Sequence, residues 1–133
     1  MTASSRTALI TGASGGIGQA LAEQLARDGH DLAPAARSLP KLEALSARLS
    51  AQYGIKAVAL QADLEASDGA RQLHAAVKAR GLDIHTLVNN AGYGLFGEFK
   101  DTGLDDELRM MQLNMTSLTV LCKLFLPDLL RQR

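Results

Sequence analysis

Thr7-Ala8-Leu9-Ile10-Thr11-Gly12-Ala13-Ser14-Gly15-Gly16-Ile17-Gly18 decides how this chain folds. Thr7 to Ile10 is an apolar run of strand length, and a glycine-rich turn ends it. Ile17, Ala20, Leu21 and Leu25 then recur at helical spacing up to Gly29, which is placed to cap the helix. A strand, a glycine turn and a helix in this order form a seat for an anion. Glycine at 12 permits the tight turn, the small residues Ser14 to Gly16 let backbone N–H groups approach a pyrophosphate, and Gly18 lets helix and strand pack closely. The helix N-terminus adds positive potential. Gly12, Ala13, Ser14, Gly16, Ile17 and Gly18 are therefore the first candidate cofactor-binding residues. A bare strand-to-helix turn with no ligand is the competing reading.

Downstream, short apolar runs keep alternating with helical patterns, the signature of βαβ units feeding a parallel sheet. Asp31 to Ala36 reads as a second strand, and Ser38-Leu39-Pro40 as an N-cap and a helix-starting proline, followed by the stripe Leu42, Leu45 and Leu49. Ala57 to Leu60 reads as a third strand, Leu73 and Val77 mark the inner face of the next helix, and His85 to Asn89 reads as a fourth strand. Leu108, Met111, Met115, Leu118, Cys122 and Phe125 suit one long helix that Pro127 bends or ends. Pro34 resists this scheme, because a proline inside an inner strand lacks a ladder donor; a bulge or a shortened strand is expected there. The fold class is α/β: a single Rossmann-type, doubly wound parallel sheet over residues 1–133, partial, with about four strands ordered 3-2-1-4 and flanking helices.

Composition narrows the function. Fourteen basic and fourteen acidic residues balance without blocks of one sign, so no electrostatic footprint for nucleic acid or an anionic membrane is present. The run from Leu113 to Leu130 is broken by Asn114, Lys123, Pro127 and Asp128, and is expected to pack against protein instead of spanning a bilayer. Met1 to Arg6 lacks the apolar core of a secretory leader, and the lone Cys122, expected to be a buried small hydrophobe, suits a reducing compartment; the expected location is cytoplasmic. His30, His74 and His85 fall on different elements with no ligand spacing, so no metal site is expected.

The spacing Thr11-Gly12-x-x-x-Gly16-x-Gly18 resembles the TGxxxGxG motif of the short-chain dehydrogenase/reductase family, and Asn89-Asn90-Ala91-Gly92 resembles its NNAG motif. Two motifs of one family in the right order cover nearly the whole chain. The resemblance implies that Asn90, Ala91 and Gly92 lie along the nicotinamide-side ribose, that Asp63, with Leu64 beside it, receives the adenine amino group, and that Asn114 is the helix-kinking asparagine. In relatives that asparagine holds a water serving the catalytic lysine, which makes Asn114 the one catalytic candidate here. Without the resemblance, Asp63 is equally a turn residue and Asn114 a solvent-exposed helix asparagine.

The end of the second strand in dinucleotide folds reads the adenosine ribose. Ala36-Arg37-Ser38 stands there with no carboxylate, and Arg37 can make charge-assisted bonds to a 2′-phosphate, so NADP(H) is expected over NAD(H). Relatives that use NADP often carry a second basic residue inside the glycine turn; here that position is Gly15.

The family's catalytic serine and its Tyr-x-x-x-Lys motif have no counterpart: Ala57 stands four residues beyond Tyr53, and Gly97 four beyond Tyr93. The chain is thus expected to be the cofactor half of an NADP(H)-dependent oxidoreductase acting on a small-molecule carbonyl/alcohol pair, truncated before that segment. The alternative is a non-catalytic dinucleotide-binding module or inactive fragment, and a third reading is a purely structural interaction protein. Tyr93 to Gly97 is expected to line one side of the site, and the long C-terminal helix to expose an apolar face suited to self-association.

Overall fold

A computed structural model describes residues 6–132; the reading of Met1 to Arg6 as lacking a leader lies, apart from Arg6, outside them. The elements are β1 (Thr7–Thr11), α1 (Gly16–Arg27), β2 (Asp31–Ala36), α2 (Leu39–Tyr53), β3 (Leu60–Gln61), α3 (Gly69–Ala79), β4 (Ile84–Val88), α4 (Leu104–Met111), a π-helical turn (Gln112–Ser117) and α5 (Leu118–Arg131). The strands form one parallel sheet in the order β3-β2-β1-β4, as expected.

Strand alternation sorts the core into two layers. Ala8, Ile10 and Leu32 pack with Ala22 and Ala26 of α1 and Leu42, Leu45 and Leu49 of α2. On the opposite face, Leu9, Ala33 and Ala35 pack with Leu73 and Val77 of α3 and Leu121 and Phe125 of α5. Both faces are covered, which is why the strands read as near-continuous apolar runs. Gly29, at φ 90°, sits just beyond the end of α1 and donates its N–H to the Ala26 carbonyl.

Pro34 is accommodated differently from either expectation. β2 runs full length without a bulge, in unbroken register with β1 from Thr7↔Asp31 to Thr11↔Ala35. The irregularity falls on the neighbouring strand: Leu32 donates to Lys56 O and accepts from Val58 N, Ala36 accepts from Ala62 N, and between them Pro34 has no donor to offer. The third strand therefore shrinks from the expected 57–60 to Leu60–Gln61, with an isolated bridge at Leu32↔Ala57.

The long C-terminal helix corrects two further expectations. Of the two outcomes expected at Pro127, ending is excluded, because the helix continues to Arg131. The stripe Leu108, Met111, Met115, Leu118 and Cys122 faces outward, and Cys122 is exposed, accepting a hydrogen bond from Asn89 Nδ2 at 3.2 Å. Of the expected stripe, Phe125 alone is buried, and it shares the inner face with Ser117, Leu121 and Asp128. Apolar spacing picked out the more hydrophobic stripe, whereas the sheet takes the one carrying a serine and an aspartate. By length and composition the 28-residue helix Leu104–Arg131 is apolar enough to cross a membrane, yet this inner face is built into the core.

Asp128 is buried at that contact and pairs with Lys78 of α3 and with Arg131, 2.9 Å away. Burial alone would push its carboxyl up, but the hydrogen bond and charge of Lys78, joined by Arg131, hold it below the usual carboxylate range. His74 stacks edge-on against Phe125, ring centroids 4.9 Å apart. Desolvation, then the Lys78 charge, lower its pKa, with Asp128 partly opposing them. The unfolded chain thus binds more protons than the folded one through His74 below about pH 6.5, and through Asp128 below about pH 4. Stability should fall as pH drops from 7.5 to 5.5, and His74→Gln should flatten that slope in urea titrations. An unchanged slope would remove His74 as its source.

Candidate functional site

The C-terminal ends of the strands open onto a cleft of about 430 Å³. Its lining combines Gly12 and Ser14 after β1, Ala35 to Ser38 after β2, Ala62 to Glu65 after β3 and Ala91 to Tyr93 after β4, with Lys41 and Leu113 at its sides. Parallel strands bring all four loops to one edge, where open α/β sheets bind ligands.

Its floor is held by Thr11, 1% exposed. The Thr11 hydroxyl accepts the N–H groups of Asn90 and Ala91, both at 3.0 Å, and donates to Val88 O at 3.4 Å. Asn90 Nδ2 donates to the Gly12 carbonyl at 3.2 Å, fastening the glycine turn to the loop after β4. Gly12 has φ 66°, and a Cβ there would meet Asn90 Nδ2 at 2.9 Å and Ala91 Cα at 3.0 Å. At Gly18, a Cβ would overlap the Gly12 carbonyl oxygen and come within 2.6 Å of Asn90 Nδ2. Those two glycines are thus needed where backbone meets backbone. Ala13 is fully buried and donates its N–H to Ala35 O at 3.2 Å, whereas Ile17 is 72% exposed beside Gly16, the first residue of α1.

Of the candidates, Gly12, Ser14, Arg37, Asp63, Leu64, Ala91 and Gly92 line the cleft. Ala13, Gly16, Ile17, Gly18 and Asn90 build the turn and its anchor behind them. Asp63 Oδ1 accepts the Glu65 N–H at 3.1 Å, so this carboxylate shapes its own loop while facing the cleft. Leu64 is buried, and its carbonyl accepts the Ser117 hydroxyl at 2.6 Å.

Asn114 lies in the π-helical turn, where the wider ladder marks a local departure from α geometry. It clasps the backbone of Tyr93 at both ends: Oδ1 accepts the N–H at 3.1 Å and Nδ2 donates to the carbonyl at 2.7 Å. Its Oδ1 also leaves room only for glycine at position 92, where a Cβ would approach to 2.9 Å. Asn114 therefore positions the loop after β4.

Two contributors lay outside the sequence-based site. Thr11 was legible as part of the glycine motif but not as its hydrogen-bonding hub. Glu65 carries no motif, yet its carboxylate lies 3.4 Å from Arg37 Nη1. Tyr93 lines the cleft as expected, and desolvation, followed by the Glu65 carboxylate, raises the pKa of its phenol; Phe96, expected on the same side, is 94% exposed. Among the described residues, no group of three or more His, Cys, Asp or Glu side chains is placed to hold a metal.

Comparison with known proteins agrees with this geometry. The family description "short chain dehydrogenase" matches residues 6–133. An uncharacterized oxidoreductase of Bacillus subtilis, YmfI, is 37% identical over 129 residues, covering 96% of this chain and 52% of its own length. A short-chain dehydrogenase from Sphingobium yanoikuyae, solved in complex with NADPH, superposes with a TM-score of 0.83 at 41% identity, over 95% of this chain and 49% of that one. An alcohol dehydrogenase from the archaeon Thermococcus sibiricus, complexed with 5-hydroxy-NADP, gives 0.90 at 33% identity, over 96% and 54%. The chain spans about half the length of these relatives. With its sheet order, glycine turn and Asn-Asn-Ala-Gly loop in place, it belongs to the short-chain dehydrogenase family of oxidoreductases.

Proposed function

We propose that this chain binds NADP(H), with the 2′-phosphate at Arg37, and forms the cofactor half of an oxidoreductase acting on a carbonyl/alcohol pair in the cytoplasm. The observation that carries the reading is the end of β2: Ala36-Arg37-Ser38 lines the cleft with a guanidinium and no carboxylate. The site fits a dinucleotide because Gly12 and Gly18 strip side chains from the turn where a pyrophosphate would approach, and Ala91 and Gly92 keep the opposite wall low. That the Sphingobium and Thermococcus relatives hold NADPH and a modified NADP supports the preference. When bound, the nicotinamide supplies or accepts a hydride. The residues of this chain bind and orient: Thr11 and Asn90 fix the floor, Asn114 holds the Tyr93 segment, and Arg37 selects the phosphate.

Isothermal titration with NADPH and NADH tests the proposal. Arg37→Ala should weaken NADPH binding about tenfold, the lower range for a charged hydrogen bond at an exposed site, and leave NADH nearly unchanged. Equal loss for both nucleotides would refute the role of Arg37. A second reading, a dinucleotide-binding module without turnover, draws on the absence of any Tyr-x-x-x-Lys within these residues. Nucleotide binding with no NADPH oxidation across a panel of ketones and aldehydes would favour it. Self-association through the outward stripe from Leu108 to Leu118 is part of the same proposal, since scattered apolar residues rarely align over so many turns.

A further inference from the structure

Among the described residues, Glu65 is the one carboxylate in contact with the guanidinium to which the phosphate is assigned. Arg37 and Glu65 follow β2 and β3, and their side chains meet across the cleft between these neighbouring strands at 3.4 Å. The two partners are held very differently. The Glu65 side chain is 18% exposed, its N–H is bound to Asp63 Oδ1 at 3.1 Å, and it neighbours the Tyr93 phenol. The Arg37 side chain is 71% exposed; only its backbone is pinned, by Gln61 Nε2 donating to its carbonyl at 3.0 Å. Glu65 is thus a fixed anion and Arg37 a tethered cation free to swing.

We propose that Glu65 is an internal competitor for Arg37, a specificity-determining residue that limits how tightly a 2′-phosphorylated dinucleotide is held. This rests on the reading of Arg37 as the phosphate ligand. A 2′-phosphate gains the guanidinium only by drawing it from Glu65, so part of the Arg37 interaction is spent on breaking the existing ion pair. A nucleotide with a free 2′-hydroxyl asks nothing of Arg37 and is indifferent to the exchange. Glu65 therefore narrows the gap between NADPH and NADH and speeds NADPH release, since changes in held charge pairs act mainly through dissociation.

The test is a double-mutant cycle in nucleotide binding on the full chain, using NADPH and NADH with the wild type, Glu65→Gln, Arg37→Ala and the double variant. Glu65→Gln is close to isosteric and should tighten NADPH roughly three- to tenfold while leaving NADH within about twofold. In the Arg37→Ala background the same change should have little effect on NADPH. Failure of the wild type to bind NADPH, or no loss in Arg37→Ala, would overturn the assignment of Arg37 and this inference with it. Arg37-dependent NADPH binding that Glu65→Gln leaves unchanged or weakens would overturn the inference alone. An equal gain for NADH, or a gain that persists without Arg37, would also overturn it, because Glu65 would then act on any nucleotide or directly on the phosphate.

Discussion

Gly18→Ala is expected to cost about 3 kcal/mol of stability and to abolish dinucleotide binding. The added methyl would fall inside van der Waals contact of three atoms: the Gly12 carbonyl oxygen, its carbon at 2.8 Å and Asn90 Nδ2 at 2.6 Å. Two of these are backbone of the glycine turn, so no side-chain rotation relieves the overlap; the helix must draw away from β1 or the turn must open. Either movement breaks the Asn90 Nδ2 bond to Gly12 O. Gly15→Ala is the control, because Gly15 is in extended backbone at φ −175° and a Cβ there meets nothing within 4 Å. Urea midpoints for the two variants should differ widely. Similar midpoints would mean the turn adapts in a way this packing does not allow.

Thr11→Val should destabilise the chain by about 2–3 kcal/mol with almost no change of shape. The hydroxyl is the shared acceptor for two consecutive N–H groups in a site where Thr11 itself is 1% exposed. Asn90 N–H has a second acceptor in Val88 O at 3.0 Å, so the loss concentrates on Ala91, whose N–H is held by the Thr11 hydroxyl, and on the Val88 carbonyl. Thr11→Ser keeps the hydroxyl and should remain within about 1 kcal/mol of the wild type, mainly losing a buried methyl. The two variants measured together by chemical denaturation separate hydrogen bonding from packing. A Thr11→Val protein as stable as the serine variant would show that the bridge between β1 and the loop after β4 contributes nothing net.

The sheet order and the glycine turn were legible because each rests on local signals that agree. Alternating runs and helical stripes mark the elements, and glycines at 12, 16 and 18 lie where a strand must turn into a helix. The outer strand was misplaced because Pro34 acts on its neighbour: the missing donor belongs to β2, but the gap opens in the chain between Val58 and Leu60. The inward face of the long helix was misjudged because the sheet selects Ser117 and Asp128, whose partners, Leu64 O and Lys78, are remote in sequence. Glu65 escaped for the same reason, since its meeting with Arg37, 28 residues away, follows from adjacent strands and not from any motif.

The gap opposite Pro34 also divides the molecule into regions of unequal cohesion. β1 pairs with β2 in register along its whole length, whereas the third strand meets β2 at the Leu32↔Ala57 bridge and again at Ala35↔Leu60 and Ala36↔Gln61, with no N–H offered by Pro34 between them. The segment that ends in Asp63, Leu64 and Glu65 follows this short strand, so it is expected to open at lower cost than β1, β2 and the glycine turn, an order that hydrogen exchange would read directly. If the cleft holds a dinucleotide as proposed, the wall formed by Asp63 to Glu65 would part from a glycine turn that stays formed, and entry and exit of the nucleotide would not wait on the stability of the whole chain.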